Sequence, residues 1–163
     1  MPAAPRIEIR VQPSDFDVSA EIAALTSGRN DIGGVASFIG LCRDEGGALS
    51  ALELEHYPGM AERAMRAIAE QAVERFSLSA ILAVHRYGRI APGGNIVLVA
   101  AAAPHRHAAF EGAEFLMDYL KTEAPFWKKE HRADGTSGDW VSAKDADDSA
   151  RDRWKGKPRK DQS

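Results

Sequence analysis

Cysteine is nearly missing from this chain. Cys42 stands alone among 163 residues, which excludes an internal disulfide and any multi-cysteine zinc site. Long apolar runs are missing as well. The longest, residues 96–103, has eight residues against the ~20 that a membrane-spanning helix needs. Residues 1–10 hold no basic stretch followed by an apolar segment, so no secretory leader is expected and a cytoplasmic location is. There is no phosphate-binding loop, no dinucleotide-binding glycine fingerprint and no serine-nucleophile elbow. What remains is ordinary globular composition, 44% hydrophobic and 28% charged, at a length suited to one domain.

Charge is unevenly spread. Residues 1–150 carry 15 Lys and Arg against 22 Asp and Glu, whereas residues 151–163 carry six basic side chains against two acidic ones. The expectation is a single domain over 1–150 and a basic, solvated C-terminal tail over 151–163, with only Trp154 to bury. An acidic body disfavours nucleic-acid binding.

Periodicity outlines the elements. Ile7, Ile9 and Val11 alternate with polar residues, as in a half-buried strand. Asp17 is placed to cap a short helix ending near Leu25. Residues 33–42 read as a strand, 44–47 as a turn and 49–57 as its hairpin partner. Residues 58–76 form the clearest helix, with Met65, Ile68, Ala69, Ala72, Val73 and Phe76 on one face. Two apolar strands follow at 80–85 and 95–103. A second helix spans about 107–121, with Phe110, Ala113, Met117 and Leu120 as its stripe. Beyond Pro125 the chain reads as loop, with a short strand around Trp140 and Val141 and one helical turn near Trp154. The fold class is α+β, antiparallel sheets packed with two main helices.

Three places can carry chemistry. Residues 104–107, Pro-His-Arg-His, join an apolar strand to a helix N-terminus, where free N–H groups and Arg106 suit an anion. The same residues read equally as a solvated basic turn, and His105 and His107 lack a third metal ligand nearby, so no metal is expected. Residues 121–130 interleave Lys121, Lys128 and Lys129 with Ala124, Pro125, Phe126 and Trp127. A lysine against apolar walls or beside another cation becomes a usable base or nucleophile. The plainer alternative has Lys121 complementing the helix C-terminus and Lys128 exposed. Residues 38–44 end a strand in Cys42 and Arg43. Cys42 could serve as a thiolate, but its alternation with Gly40 and Phe38 fits a buried, inert thiol. His56 and His85 read as satisfied structural groups. The residues together suggest a site for an anionic small molecule with lysine chemistry.

The blocks FIGLCRD, LELEHYPGM, HRYGRIAPGG, PHRHAAFEG and DYLKTEAPFWKKE, followed by Trp140-Val141, resemble the large, catalytic subunit of molybdopterin synthase over about residues 7–144. The resemblance implies an α/β-hammerhead fold and a central homodimer. It further implies that each protomer binds a small ubiquitin-like sulfur-carrier subunit, making a heterotetramer. The carrier's Gly-Gly thiocarboxylate tail would deliver two sulfurs to cyclic pyranopterin monophosphate, forming the dithiolene of molybdopterin without a resident cofactor. By the same resemblance, Lys121 and Lys128 are the catalytic lysines. Phe38, Arg43, His105 and Arg106 bind substrate, and Lys144 reaches into the neighbouring protomer's site. Arginine is usual at that last position, and lysine keeps its charge while losing the bidentate fork. Two rivals stand beside this reading: a non-catalytic anion-binding module, and a sulfurtransferase that carries a persulfide on Cys42.

Overall fold

The computed structural model describes residues 3–44, 46–141 and 151–155. At its centre, strands β4 (Ala80–Arg86) and β6 (Asn95–Ala103) pair antiparallel. Every side chain from Ala80 to Val84 and from Val97 to Ala103 is buried. Strands covered on both faces need apolar residues at every position, which is why these two read as continuous runs without alternation. β1 (Arg6–Gln12) lies beside β4 and β2 (Gly34–Leu41) beside β6, giving the order β1-β4-β6-β2.

Each face of this sheet has its own cover. Ile81, Ala83, Val99 and Ala101 pack with Met65, Ile68, Phe115 and Leu116 from helices α2 (Met60–Phe76) and α3 (Arg106–Glu123). Leu82, Val84, Leu98 and Ala100 pack on the other side with Phe16 and Leu25, beneath α1 (Val18–Thr26). Asp17 caps α1 as expected, its Oδ1 accepting the Ala20 N–H at 3.0 Å. Gly112 seats α3 closely on the sheet, since a Cβ there would stand 2.8 Å from Leu78 Cδ1 and 3.2 Å from Ala101 Cβ. The buried stripe of α3 is Ala109, Gly112, Ala113, Phe115, Leu116 and Leu120. Phe110, expected on that stripe, is instead 64% exposed.

The expected α+β sandwich is present, with three differences in connection. β1 pairs with β4 in parallel, because the chain between them crosses the sheet before returning. The expected hairpin between residues 33–42 and 49–57 does not form. After the irregularity at Gly40 and Leu41, Cys42 bonds to the turn before β6: its N–H reaches Gly94 O at 2.8 Å, and its carbonyl accepts from Gly93 N–H at 2.6 Å. The chain is thereby led away, and β3 (Leu49–His56) joins a second sheet ordered β5-β3-β7 with β5 (Gly88–Ile90) and β7 (Phe126–Arg132). β7 is the third difference, a strand where loop was expected. It pairs antiparallel with β3, placing Lys128 opposite Leu54. The strand expected around Trp140 and Val141 is a single bridge from Val141 to Lys128.

The start of the basic C-terminal segment is docked, contrary to the expectation of a solvated tail from Arg151. Trp154 meets Phe76 and Phe115 edge-on, with ring centroids 5.8 and 5.6 Å away. Its indole N–H donates to Asp118 Oδ2 at 2.6 Å, and Arg153 pairs with both Asp118 and Glu114. Arg151 reaches Glu123 at 3.3 Å. Basic side chains thus meet the acidic outer face of α3, and one aromatic ring extends the core. Residues 156–163 lie outside the described residues. Trp154→Ala should lower unfolding free energy by about 2 kcal/mol, less than a fully buried tryptophan because one side of the ring is open. Denaturant titration of the two proteins checks this, and an unchanged midpoint would mean the segment contributes nothing.

Candidate active site

One cavity of about 360 Å³ opens where α3, β7 and the end of β2 converge. α3 brings Lys121 on its last turn. The helix stops at Ala124, the chain reverses through Pro125, and β7 runs back along β3. Side chains two apart on a strand share a face, so Phe126, Lys128 and Glu130 line the cavity together. Arg43, one residue beyond Cys42, enters from the opposite wall. Among the described residues, three cations and one carboxylate therefore surround a space whose remaining walls are largely apolar, including Leu52, Leu54 and Leu120. Cations so arranged attract an anion, and the apolar walls strengthen that attraction by excluding water.

Lys121 and Lys128, both candidates in the sequence, line this one cavity together with Arg43. Phe38 stands elsewhere, 47% exposed on β2, in a shallower groove of about 460 Å³ with Phe110 and Met117. Lys121 borders both spaces and separates them. His105 and Arg106 do not join the lysines within one chain. They are exposed at the N-terminal end of α3, where His105 is the N-cap with extended backbone. At 1.5 Å per residue, Arg106 and Lys121 lie about 22 Å apart along the helix. Lys144 lies outside the described residues.

Cys42 is 2% exposed, and burial pushes its thiol above the ordinary range. Its sulfur donates weakly to Ile90 O at 3.7 Å. A protonated, covered thiol is a poor nucleophile, which counts against a persulfide at this position.

His85 was read from the sequence as structural, and the structure sets it in the cavity wall. It follows the apolar run of β4, at the point where the strand leaves the core. Its ring stacks on Phe126 with centroids 3.8 Å apart and planes 14° apart, and His56 and Tyr87 extend the stack. Burial pulls His85 down to about 4, and the positive charge of Lys121 adds to the effect. The available signal was its position, a polar residue ending a strand otherwise buried on both faces.

These features define an α/β protein with a lysine-lined anion cavity. Residues 11–123 match the family model described as MoaE protein. The chain is 68% identical to the molybdopterin synthase catalytic subunit of Rhizobium meliloti (strain 1021), over 93% of this chain and 97% of that one. A MoaE protein structure from Burkholderia ambifaria MC40-6 superposes with a TM-score of 0.78 at 49% identity, covering 93% of this chain and 98% of the other. A molybdopterin synthase structure from Staphylococcus aureus gives 0.75 at 26% identity, covering 82% and 96%. This chain belongs to the MoaE family, the family of the molybdopterin synthase catalytic subunits.

His85 also makes stability depend on pH. Well above its ordinary value of 6.5 the ring is neutral in both folded and unfolded chains, and the contribution is fully present. Below 6.5 the unfolded chain takes up the proton first, so stability falls until the folded ring titrates at about 4, by about 3 kcal/mol in all. Unfolding free energies of wild type and His85→Phe between pH 7 and 4 should show this loss in wild type only. Parallel curves would remove His85 as its source.

Proposed function

We propose that this chain catalyses sulfur transfer as the large subunit of molybdopterin synthase. The observation that carries this reading is the convergence of Lys121, Lys128 and Arg43 on one cavity open to an incoming chain end. The sulfur donor is the thiocarboxylate at the C-terminus of a small ubiquitin-like carrier, and the acceptor is cyclic pyranopterin monophosphate. Lys128, held on β7 between Leu54 and Val141, meets the carrier's negative terminus and stabilises charge there. Lys121, at the wall between the cavity and the Phe38 groove, serves the reacting atoms as acid, base or electrostatic stabiliser when sulfur attacks the substrate side chain. Arg43 takes the phosphate.

The same geometry supports a site completed by a second copy of the chain. His105 and Arg106, far from Lys121 in their own protomer, serve the phosphate in the partner's site together with Lys144. A homodimer carrying two such sites and two carriers makes the heterotetramer. Residues 1–150 act as one unit. No helix among the described residues is long and apolar enough to cross a membrane, and we place the enzyme in the cytoplasm.

A defined mixture of this protein, thiocarboxylated carrier and cyclic pyranopterin monophosphate tests the reading, with product followed as the fluorescent oxidised pterin. Lys121→Ala should lose at least ~100-fold in rate, in line with removal of a positioned acid–base or charge-stabilising group. Cys42→Ala should retain most of the activity. Loss with Cys42→Ala alone would transfer the chemistry to the thiol, and no product from folded wild type would leave an anion-binding module. A second experiment addresses the shared site. Chains carrying Lys121→Ala and Arg106→Ala, each inactive alone, should recover about a quarter of wild-type activity when mixed, because half the dimers form one intact site. No recovery would place Arg106 and Lys121 in the same site.

A further inference from the structure

We propose that His85 is a ligand-binding residue of the cavity, its unprotonated Nε2 accepting a hydrogen bond from an N–H of the molecule that lies beside Lys121. The identity of that molecule rests on the sulfur-transfer reading above. The geometry of the acceptor stands on its own.

His85 Nδ1 lies 2.8 Å from the Arg86 carbonyl oxygen. A carbonyl only accepts, so Nδ1 carries the proton, and in the neutral ring Nε2 is left with a bare lone pair. The stack on Phe126 fixes the ring plane, so this lone pair has one direction. No protein group among the described residues is bonded to Nε2, and no sealed side-chain nitrogen among them lacks a partner. Nε2 therefore opens to the cavity that His85 lines.

The surroundings say what Nε2 is suited to take. Lys121 comes from α3, Lys128 and Glu130 from β7, and Arg43 from just past β2, while His56 of β3 stacks on the same Phe126 ring and Arg86 supplies its backbone carbonyl to Nδ1. The three cavity cations are donors for the anionic parts of a ligand. Burial keeps His85 neutral at working pH, so it adds no fourth positive charge. It is an acceptor set among donors, and it distinguishes a ligand that presents an N–H next to its negative group. Two such ligands meet at this site: the carrier tail, with an amide N–H just behind its terminal carboxyl, and the pterin, with its ring N–H groups.

His85→Phe keeps the aromatic stack and removes the acceptor, whereas His85→Gln restores an acceptor near the position of Nε2. Two quantities separate the sources: the Kd for carrier ending in an ordinary Gly-Gly carboxylate, by calorimetry, and the KM for cyclic pyranopterin monophosphate. One of them should rise about tenfold in His85→Phe, as loss of one ligand hydrogen bond implies, and return to within about threefold of wild type in His85→Gln. In wild type, the ¹⁵N resonance of His85 Nε2 should move upfield when that same ligand is added. The proposal is overturned if both constants stay at wild-type values in His85→Phe. It is equally overturned if His85→Gln is no better than His85→Phe, if kcat alone falls, or if neither ligand moves the Nε2 resonance. Wild type that binds carrier yet makes no product would sink the sulfur-transfer reading and leave the His85 result readable. Wild type that binds neither molecule would sink both.

Discussion

The burial of β4 and β6 on both faces is the constraint from which the rest of the structure follows. A strand pair with no polar side chain through its middle must be covered twice, and three helices supply the cover. α1 closes one face, while α2 and α3 share the other. Gly112 brings α3 close to Leu78 and Ala101, and that contact fixes where the helix ends. Lys121 is therefore positioned by the core, through a helix that cannot slide without opening a cavity beneath it. The lysine's place in the site follows from the packing of residues that never touch a ligand.

A long helix also imposes a separation. With His105 at one end of α3 and Lys121 on its last turn, the two groups stand at opposite ends of the helix. Residues that lie close together in the amino-acid order of substrate-binding motifs are thus held apart by a rigid rod. A second copy resolves this with no change of fold, since a two-fold axis can bring one end of the helix to the other end of its mate. The groove between β2 and α3, with Phe38 and Phe110 exposed, lies beside the same helix.

Much of this was legible in the residues, and the exceptions have physical causes. β4 and β6 were visible because double-sided burial writes an unbroken apolar run, and α2 because its buried and charged faces are clean. β7 was invisible because Phe-Trp-Lys-Lys-Glu-His-Arg has no apolar alternation. Its strand state comes from pairing with β3, and its inward side chains face the cavity instead of a core. The phase of α3 differs by one position because alanine and glycine at 109 and 112 share its buried stripe with Phe115 and Leu116, and the small residues carry little signal beside Phe110. The β2–β3 hairpin failed because a backbone bond, Cys42 to the turn at 93–94, decides where the chain goes, and backbone bonds leave no mark on composition. Trp154 looked isolated only because its partners, Phe76 and Phe115, are distant in sequence. Within the site, spacing offered the lysines and Arg43 only as candidates beside a plainer surface reading, and the family resemblance singled them out. The distance between the ends of α3 could have been computed from the helix alone, yet a motif read as a string hides it.

The electrostatics of the cavity complete the argument. Among the described lining residues, Arg43, Lys121 and Lys128 stand with one carboxylate, Glu130, so positive groups outnumber negative ones. An anion that enters such a site gains from their charge, which links ligand binding to stability. The neighbouring groups are held uncharged by the same burial. Cys42 keeps its proton and His85 lacks a second one, each because a charged form beside apolar walls is disfavoured. The result is a division of labour set by solvent access. The long basic side chains line the cavity, while the short, covered groups stay neutral. A negatively charged chain end then meets three donors with no competing thiolate. The histidine that completes the wall adds directionality where another cation would add only repulsion.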